Sequence, residues 1–339
     1  MKIGLFWDGA INIKSYYVKN GTAYDLETNQ PYMYHHTVSE KCFPATHNFT
    51  FLWDNGYFLN LSEFVEKGID FPDLEFDVIF YAAERGGLTN EHWDDYSVKR
   101  IKAKYPNATI VGYLKEVHVR EDRVENRIKF LKSCDYIHAE ATSTMKTLPE
   151  FLQIEKLVGK KLQFTNQPLN IDYLFEHFYS NEKINGIYAY IPNPTYRHGR
   201  TYEFAKYIGN KYNLPVFYKT QIDSINLSQL EFTKSWSQYL YHFNLDPSPF
   251  HPGGQVCQVA SVGSINIGGM NESHSILFPE TSGIDEELLE KKFVELLNNP
   301  QKQFEIIQYA FNKLNEMYSF NVVKKQLEER NSRLCDSKE

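Results

Sequence analysis

No stretch of the 339 residues reaches the roughly 18 consecutive apolar side chains that a membrane span requires. The four cysteines, Cys42, Cys134, Cys257 and Cys335, lie far apart and form no CxxC pair. Neither a zinc knuckle nor a disulfide framework is therefore suggested. No GxGxxG follows the first apolar run, where the loop reads WDGAINIK, which speaks against a dinucleotide oxidoreductase. Solenoid repeats and low-complexity tracts are absent. The opening residues, MKIGLF, lack the apolar run and small-residue cleavage site of a secretory signal, so the expectation is a soluble, intracellular chain, cytoplasmic in location. Basic charge is in short supply: 36 Lys and Arg face 43 Asp and Glu, a net charge of −7. A surface that attracts nucleic acid everywhere is excluded, whereas a local basic groove is not.

What is present is apolar and aromatic, at 42% and 15% of residues, enough for two cores in a chain of this length. KIGLFWDGA predicts a first parallel strand and the loop at its carboxyl end. FDVIFYAAERGG (76–87) and ATIVGYLKEVH (108–118) predict two more strands around a helix within HWDDYSVKRIKAKYP, which is one βαβ unit. CDYIHAEA predicts a further strand, TLPEFLQIEKLVG a helix, and KKLQFTNQPLNIDYLF a strand ending in a turn. Residues 15–60 are irregular and read as hairpins and loops. The pattern restarts after Tyr179 with the strand INGIYAYIP, the helix GRTYEFAKYIGNKYN and the strand LPVFYKT, and the chain closes with three amphipathic helices. The expected class is α/β, with two doubly wound Rossmann-like domains, 1–180 and 181–339, facing across a cleft at the carboxyl ends of their strands.

Two stretches of the second half could carry chemistry. In DPSPFHPGGQVCQVASVG, a Pro- and Gly-rich loop ends at Gly253-Gly254 and opens into a helix, where bare backbone and a helix N-terminus suit phosphate oxygens. A tight turn into a packed helix is the competing reading. In IPNPTYRHGRTYEF, Arg197, His198 and Arg200 cluster just before a helix, where cations oppose the helix dipole and call for an anion. Arginine forks match phosphate oxygens, and two solvated loop arginines are the alternative.

These residues carry a resemblance. Residues 160–330 look like the donor domain of a GT-B glycosyltransferase: a strand, a basic loop and helix, then a glycine loop and helix that hold a nucleotide diphosphate sugar. FVELLNNPQKQFEIIQYAFNKLNEMYSFNVVKKQLEER resembles the terminal helices of such enzymes. TYRHGRTYEF is similar to the arginine loop of bacteriophage DNA glucosyltransferases, which implies that Arg197 and Arg200 contact the donor diphosphate. QVCQVASVG is similar to the helix whose acid binds the donor ribose in that group; here Gln258 takes that position, and Gln255 stands where an arginine would be. An amide can bond ribose hydroxyls but without a carboxylate's charge assistance. Phe250 replaces the Glu that many retaining members carry eight residues before the ribose-binding acid.

The resemblance thus implies an inverting transferase that needs no metal or other cofactor beyond the nucleotide sugar. A general base from the first domain would deprotonate the acceptor hydroxyl. Acids at strand ends are Asp8, Glu84 and Glu116, the last with His118 beside it; the resemblance favours Glu116, and Asp8 is the candidate from the strand pattern. The segment 98–132 holds ten Lys and Arg against four Asp and Glu, which either tracks a phosphate backbone or is one solvated face of a helix pair. His35, His36 and His47 read as scattered polar loop residues, not a metal cluster. The implied acceptor is a hydroxymethylated base in DNA. A polysaccharide, lipid-linked or protein hydroxyl is the alternative acceptor, and a non-catalytic nucleotide-sugar- or DNA-binding module the alternative class.

Overall fold

A computed structural model describes residues 2–7, 14–32, 49–53, 55–82, 97–114, 124–140, 149–191, 199–220, 229–247 and 254–336. The chain divides into two compact units. One comprises Met1–Tyr34, Phe43–Gln167 and Lys324–Glu339; the other comprises His35–Cys42 and Pro168–Val323.

The first unit is built on an eight-stranded sheet in the order β3-β2-β4-β1-β5-β6-β7-β8. Its strands are β1 (Ile3–Trp7), β2 (Tyr16–Lys19), β3 (Thr22–Asp25), β4 (Gly56–Asn60), β5 (Val78–Ala82), β6 (Thr109–Leu114), β7 (Tyr136–Glu140) and β8 (Leu162–Thr165). All are parallel except β2, which runs antiparallel to both β3 and β4. Asn20 and Gly21, both at positive φ, make the two-residue turn between β2 and β3, as a tight hairpin demands. Helix α1 (Leu61–Lys67) follows β4, and α2 (Val98–Lys104), α3 (Val124–Ser133) and α4 (Pro149–Val158) make the crossovers from β5 to β8. β1 and β5 are buried at every position, which is why both read as unbroken apolar runs.

The first described helix of the second unit is α5 (Ile171–Phe178), where the sequence suggested a turn. Asn170 caps it by accepting from the Tyr173 N–H, and Ile171, Leu174 and Phe178 form its buried face. A four-stranded parallel sheet follows in the order β10-β9-β11-β12, from β9 (Ile184–Tyr190), β10 (Val216–Lys219), β11 (Tyr239–Phe243) and β12 (Ile265–Ile267). Between them run α6 (Gly199–Tyr212), α7 (Gln229–Ser237) and α8 (Gly254–Ser261). Helices α9 (Glu272–Leu277), α10 (Glu286–Leu297), α11 (Pro300–Tyr318) and α12 (Phe320–Asp336) complete the chain. The Asn-Asn-Pro break is a cap: Asn299 accepts from the Lys302 N–H at 3.0 Å, and Pro300 occupies the first helical position. No described helix is long and apolar enough to cross a membrane.

Candidate functional site

Most of the candidate side chains lie outside the described residues: Asp8, Glu84, Glu116 and His118 of the first unit, Arg197, His198, Phe250 and Gly253 of the second, and His35, His36 and His47. Arg200, Gly254, Gln255 and Gln258 are described, and they belong to two helices that start at the same end of one sheet.

That end is organised by three residues after β11. Asn244, Leu245 and Asp246 are all buried. The Leu245 N–H donates at 2.9 Å to Oγ1 of Thr201, a fully buried residue in the first turn of α6. Asn244 Nδ2 donates at 3.4 Å to Gln255 Oε1 in the first turn of α8, and also at 3.4 Å to Nε2 of His274 in α9. The Met270 N–H, just before α9, donates to the Asp246 carbonyl at 3.2 Å. The first turns of α6 and α8 are thereby fixed beside one short segment. Each presents backbone N–H groups without intrahelical acceptors, and both dipoles favour an anion there.

Beneath this segment lies a polar row across the sheet, in which Tyr188 of β9 is registered with His242 of β11, and His242 with Asn266 of β12. His242 is fully buried. Its Nε2 faces the Trp236 carbonyl at 3.1 Å, and its Nδ1 faces Gln255 Nε2 at 3.4 Å. The carbonyl can only accept, so Nε2 carries the proton and Nδ1 offers a lone pair. Burial, reinforced by the positive charge of Lys183, pushes the His242 pKa down to about 3, so the ring is neutral. Gln258, half-buried on α8, leaves its amide without a hydrogen bond among the described residues.

Arg200 is exposed, and its Nε donates at 2.6 Å to Glu286 Oε1 in the first turn of α10. Glu286 supplies from the chain itself an anion of the kind the arginine cluster called for. In the basic segment of the first unit, Lys102 pairs with Asp135 at 2.6 Å and Lys104 with Asp73 at 3.6 Å, while the Arg100 guanidinium sits 4.6 Å from the centre of the Phe71 ring. Lys129 and Lys132 of α3 are exposed, and Lys129 has an interaction of its own. Among the described residues, no group of three or more His, Cys, Asp or Glu is placed to hold a metal ion.

Sequence reading passed over His242 and Asn244 because it did not recognise β11, and over Thr201 and His274 because their partners are distant in sequence. The signal was present in YLYHFNLD, where polar His242, Asn244 and Asp246 recur at every second position behind an aromatic run.

No protein-family model matches the chain, and no curated protein matches it by sequence. Solved structures do. An alpha-glucosyltransferase in complex with UDP and a 13-mer DNA containing a HMU base is similar with a TM-score of 0.54 at 12% identity, over 80% of this chain and 84% of that one. HepE from Anabaena, in complex with UDP and glucose, has a TM-score of 0.51 at 10% identity, covering 76% and 78% of the two chains. The N-terminal domain of Candida albicans trehalose-6-phosphate phosphatase has a TM-score of 0.55 at 10% identity, covering 80% and 72%. The chain thus shares the GT-B fold with these structures.

Proposed function

We propose that the protein is a glycosyltransferase that moves a hexose from a nucleotide diphosphate sugar, of the UDP-glucose kind, to an acceptor hydroxyl. The observation that carries this reading is the meeting of the first turns of α6 and α8 at Asn244–Asp246, within a GT-B fold. As the bond from the anomeric carbon to the diphosphate breaks, negative charge grows on the leaving oxygen. Two helix N-termini, Arg197, Arg200 and the bare backbone of Gly253 and Gly254 are the groups to receive it. Exposed Arg200 can turn from Glu286 to a phosphate at small cost, since a surface ion pair is worth about 0–1 kcal/mol. Gln258 takes the ribose hydroxyls. Glu116, or Asp8 or His118 in its place, accepts the proton of the attacking hydroxyl. The course is inversion, in keeping with Phe250 at the position of the retaining Glu, and no metal is required.

The acceptor is a hydroxymethylated base in DNA, flipped out to reach the donor. Supporting it are the arginine-loop resemblance, exposed Lys129 and Lys132 in the basic segment, and a fold neighbour whose complex contains DNA with a HMU base. The spent charges of Lys102 and Lys104 and the net charge of −7 favour a second reading, in which the acceptor is a polysaccharide, lipid-linked or protein hydroxyl.

The test is thermal stabilisation by UDP, UDP-glucose, GDP-mannose, ADP-glucose and NAD, followed by transfer assays on hydroxymethylcytosine DNA. A ligand at 100 times its Kd adds about 2.7 kcal/mol to the folded state. Selective stabilisation by one nucleotide sugar, with transfer that weakens steeply as salt rises, is expected. No stabilisation by any of them overturns the donor site, transfer only to non-DNA hydroxyls selects the second reading, and a retained anomeric configuration overturns inversion.

A further inference from the structure

Gln255 occupies the first turn of α8, on the side from which a donor would approach, yet its side chain is turned inward. Its Nε2 faces His242 Nδ1 and its Oε1 faces Asn244 Nδ2, each at 3.4 Å, so both ends of the amide are engaged within the sheet end. The pairing is chemically selective. His242 Nδ1 needs a donor because Nε2–H is committed to the Trp236 carbonyl at 3.1 Å, while Asn244 Nδ2 needs an acceptor. An amide supplies one of each. A carboxylate supplies only acceptors, and the arginine that the resemblance would place here supplies only donors. The imidazole thus ties the last turn of α7, through Trp236, to the first turn of α8, through Gln255, across the strand between them.

We propose that Gln255 and His242 are positioning residues: together they set the first turn of α8 against the end of β11, so that Gly254 and Gln258 meet the nucleotide while the Gln255 side chain does not touch it. The proposal deepens the donor reading and rests on it. The groups around the ring keep the imidazole neutral near neutral pH. The Lys183 ammonium acts on it from the start of β9, the Tyr188 ring lies 5.1 Å away, the Trp236 ring meets it edge-on at 5.0 Å, and His274 stands beyond Asn244. A neutral tie of this kind holds the helix in one place throughout the neutral pH range.

The experiment uses the full chain and two variants, Gln255→Met and Gln255→Glu, with UDP calorimetry, donor KM and kcat, and 15N resonances of the His242 ring. In Gln255→Met the ring resonances shift without nucleotide, UDP binding weakens about five- to tenfold, the worth of one neutral hydrogen bond, and kcat at saturating donor is unchanged. In Gln255→Glu two acceptors face each other unless a proton is taken up, so UDP affinity relative to the parent at the same pH falls as pH rises between about 5 and 8. Weakened binding in Gln255→Met with unmoved ring resonances overturns the proposal and makes Gln255 a direct donor contact. So does a loss in Gln255→Glu that is the same at every pH, the mark of a carboxylate repelling phosphate. If the parent binds no nucleotide, the donor reading fails by itself, and a shifted His242 resonance in Gln255→Met still establishes the tie to Gln255.

Discussion

The first unit fills the space beside its sheet with rings: Phe6, Phe76 and Tyr105 meet edge to face, with centroids 5.4, 5.5 and 5.2 Å apart. Even its buried imidazole, His138, lies among aromatics, stacked on Tyr113 and joined to Thr165 Oγ1 at 3.1 Å. The second unit also has its aromatic side, where Phe293 packs against Tyr241 and Phe243. Around His242, however, it places amides, an imidazole and a hydroxyl at the carboxyl ends of the strands. Ring packing is strong and tolerant of direction, whereas a hydrogen bond between a strand end and a helix turn fixes one relative placement. The polar side is therefore where two helix N-termini could be aimed with ligand-binding precision.

Breaking the aromatic packing should cost most. Phe76→Ala in the first unit and Phe293→Ala in the second should each destabilise by about 3–5 kcal/mol, measured by urea unfolding, and only the second should disturb nucleotide binding. On the polar side, Thr201→Val leaves the buried Leu245 N–H without its acceptor, at about 1–3 kcal/mol. Its larger consequence should be in UDP affinity, because α6 loses its tie to Asn244–Asp246. Arg197→Ala and Arg200→Ala should each weaken nucleotide binding by about 1.5–3 kcal/mol in calorimetry with little change in unfolding; unchanged binding in both removes the diphosphate assignment. Glu286→Gln removes an exposed pair and should alter stability by less than about 1 kcal/mol, while freeing Arg200 for phosphate.

A pH experiment sharpens the contrast further. Lys183 donates to the carbonyls of Ser237 and Val262, at 2.5 and 2.7 Å, at the ends of α7 and α8. Burial lowers its pKa from the ordinary 10.5 to about 8. Between these two values the unfolded chain holds a proton that the folded chain has released, so the unfolding free energy should rise with pH across that window. Lys183→Met should flatten the rise, and an unaltered slope would show that the group does not titrate there.

Much of the fold was legible because buried parallel strands announce themselves. Ile3–Trp7, Val78–Ala82 and Ile184–Tyr190 carry unbroken or nearly unbroken apolar runs, and the terminal helices repeat at helical spacing. Strand β11 escaped notice because its segment carries His242 and Asn244, residues that propensity assigns to loops and that here are buried by partners distant in sequence. The candidate site was legible only as two loops, since Thr201, Gln255 and Asn244 become neighbours through the sheet order β9-β11-β12, which no local pattern encodes. The turn expected within NIDYLF was a helix, because the Asn170 cap outweighed the short apolar run.

Helix α12 begins in the second unit and passes into the first, where Leu327 is buried. The first unit is therefore discontinuous in sequence, and the contacts that close it through Lys324–Glu339 span the whole of Pro168–Val323, the kind of long-range pairing that slows folding. A chain truncated after Val323 should leave the first unit more open to a protease than it is in the full chain, while the second unit keeps its protection.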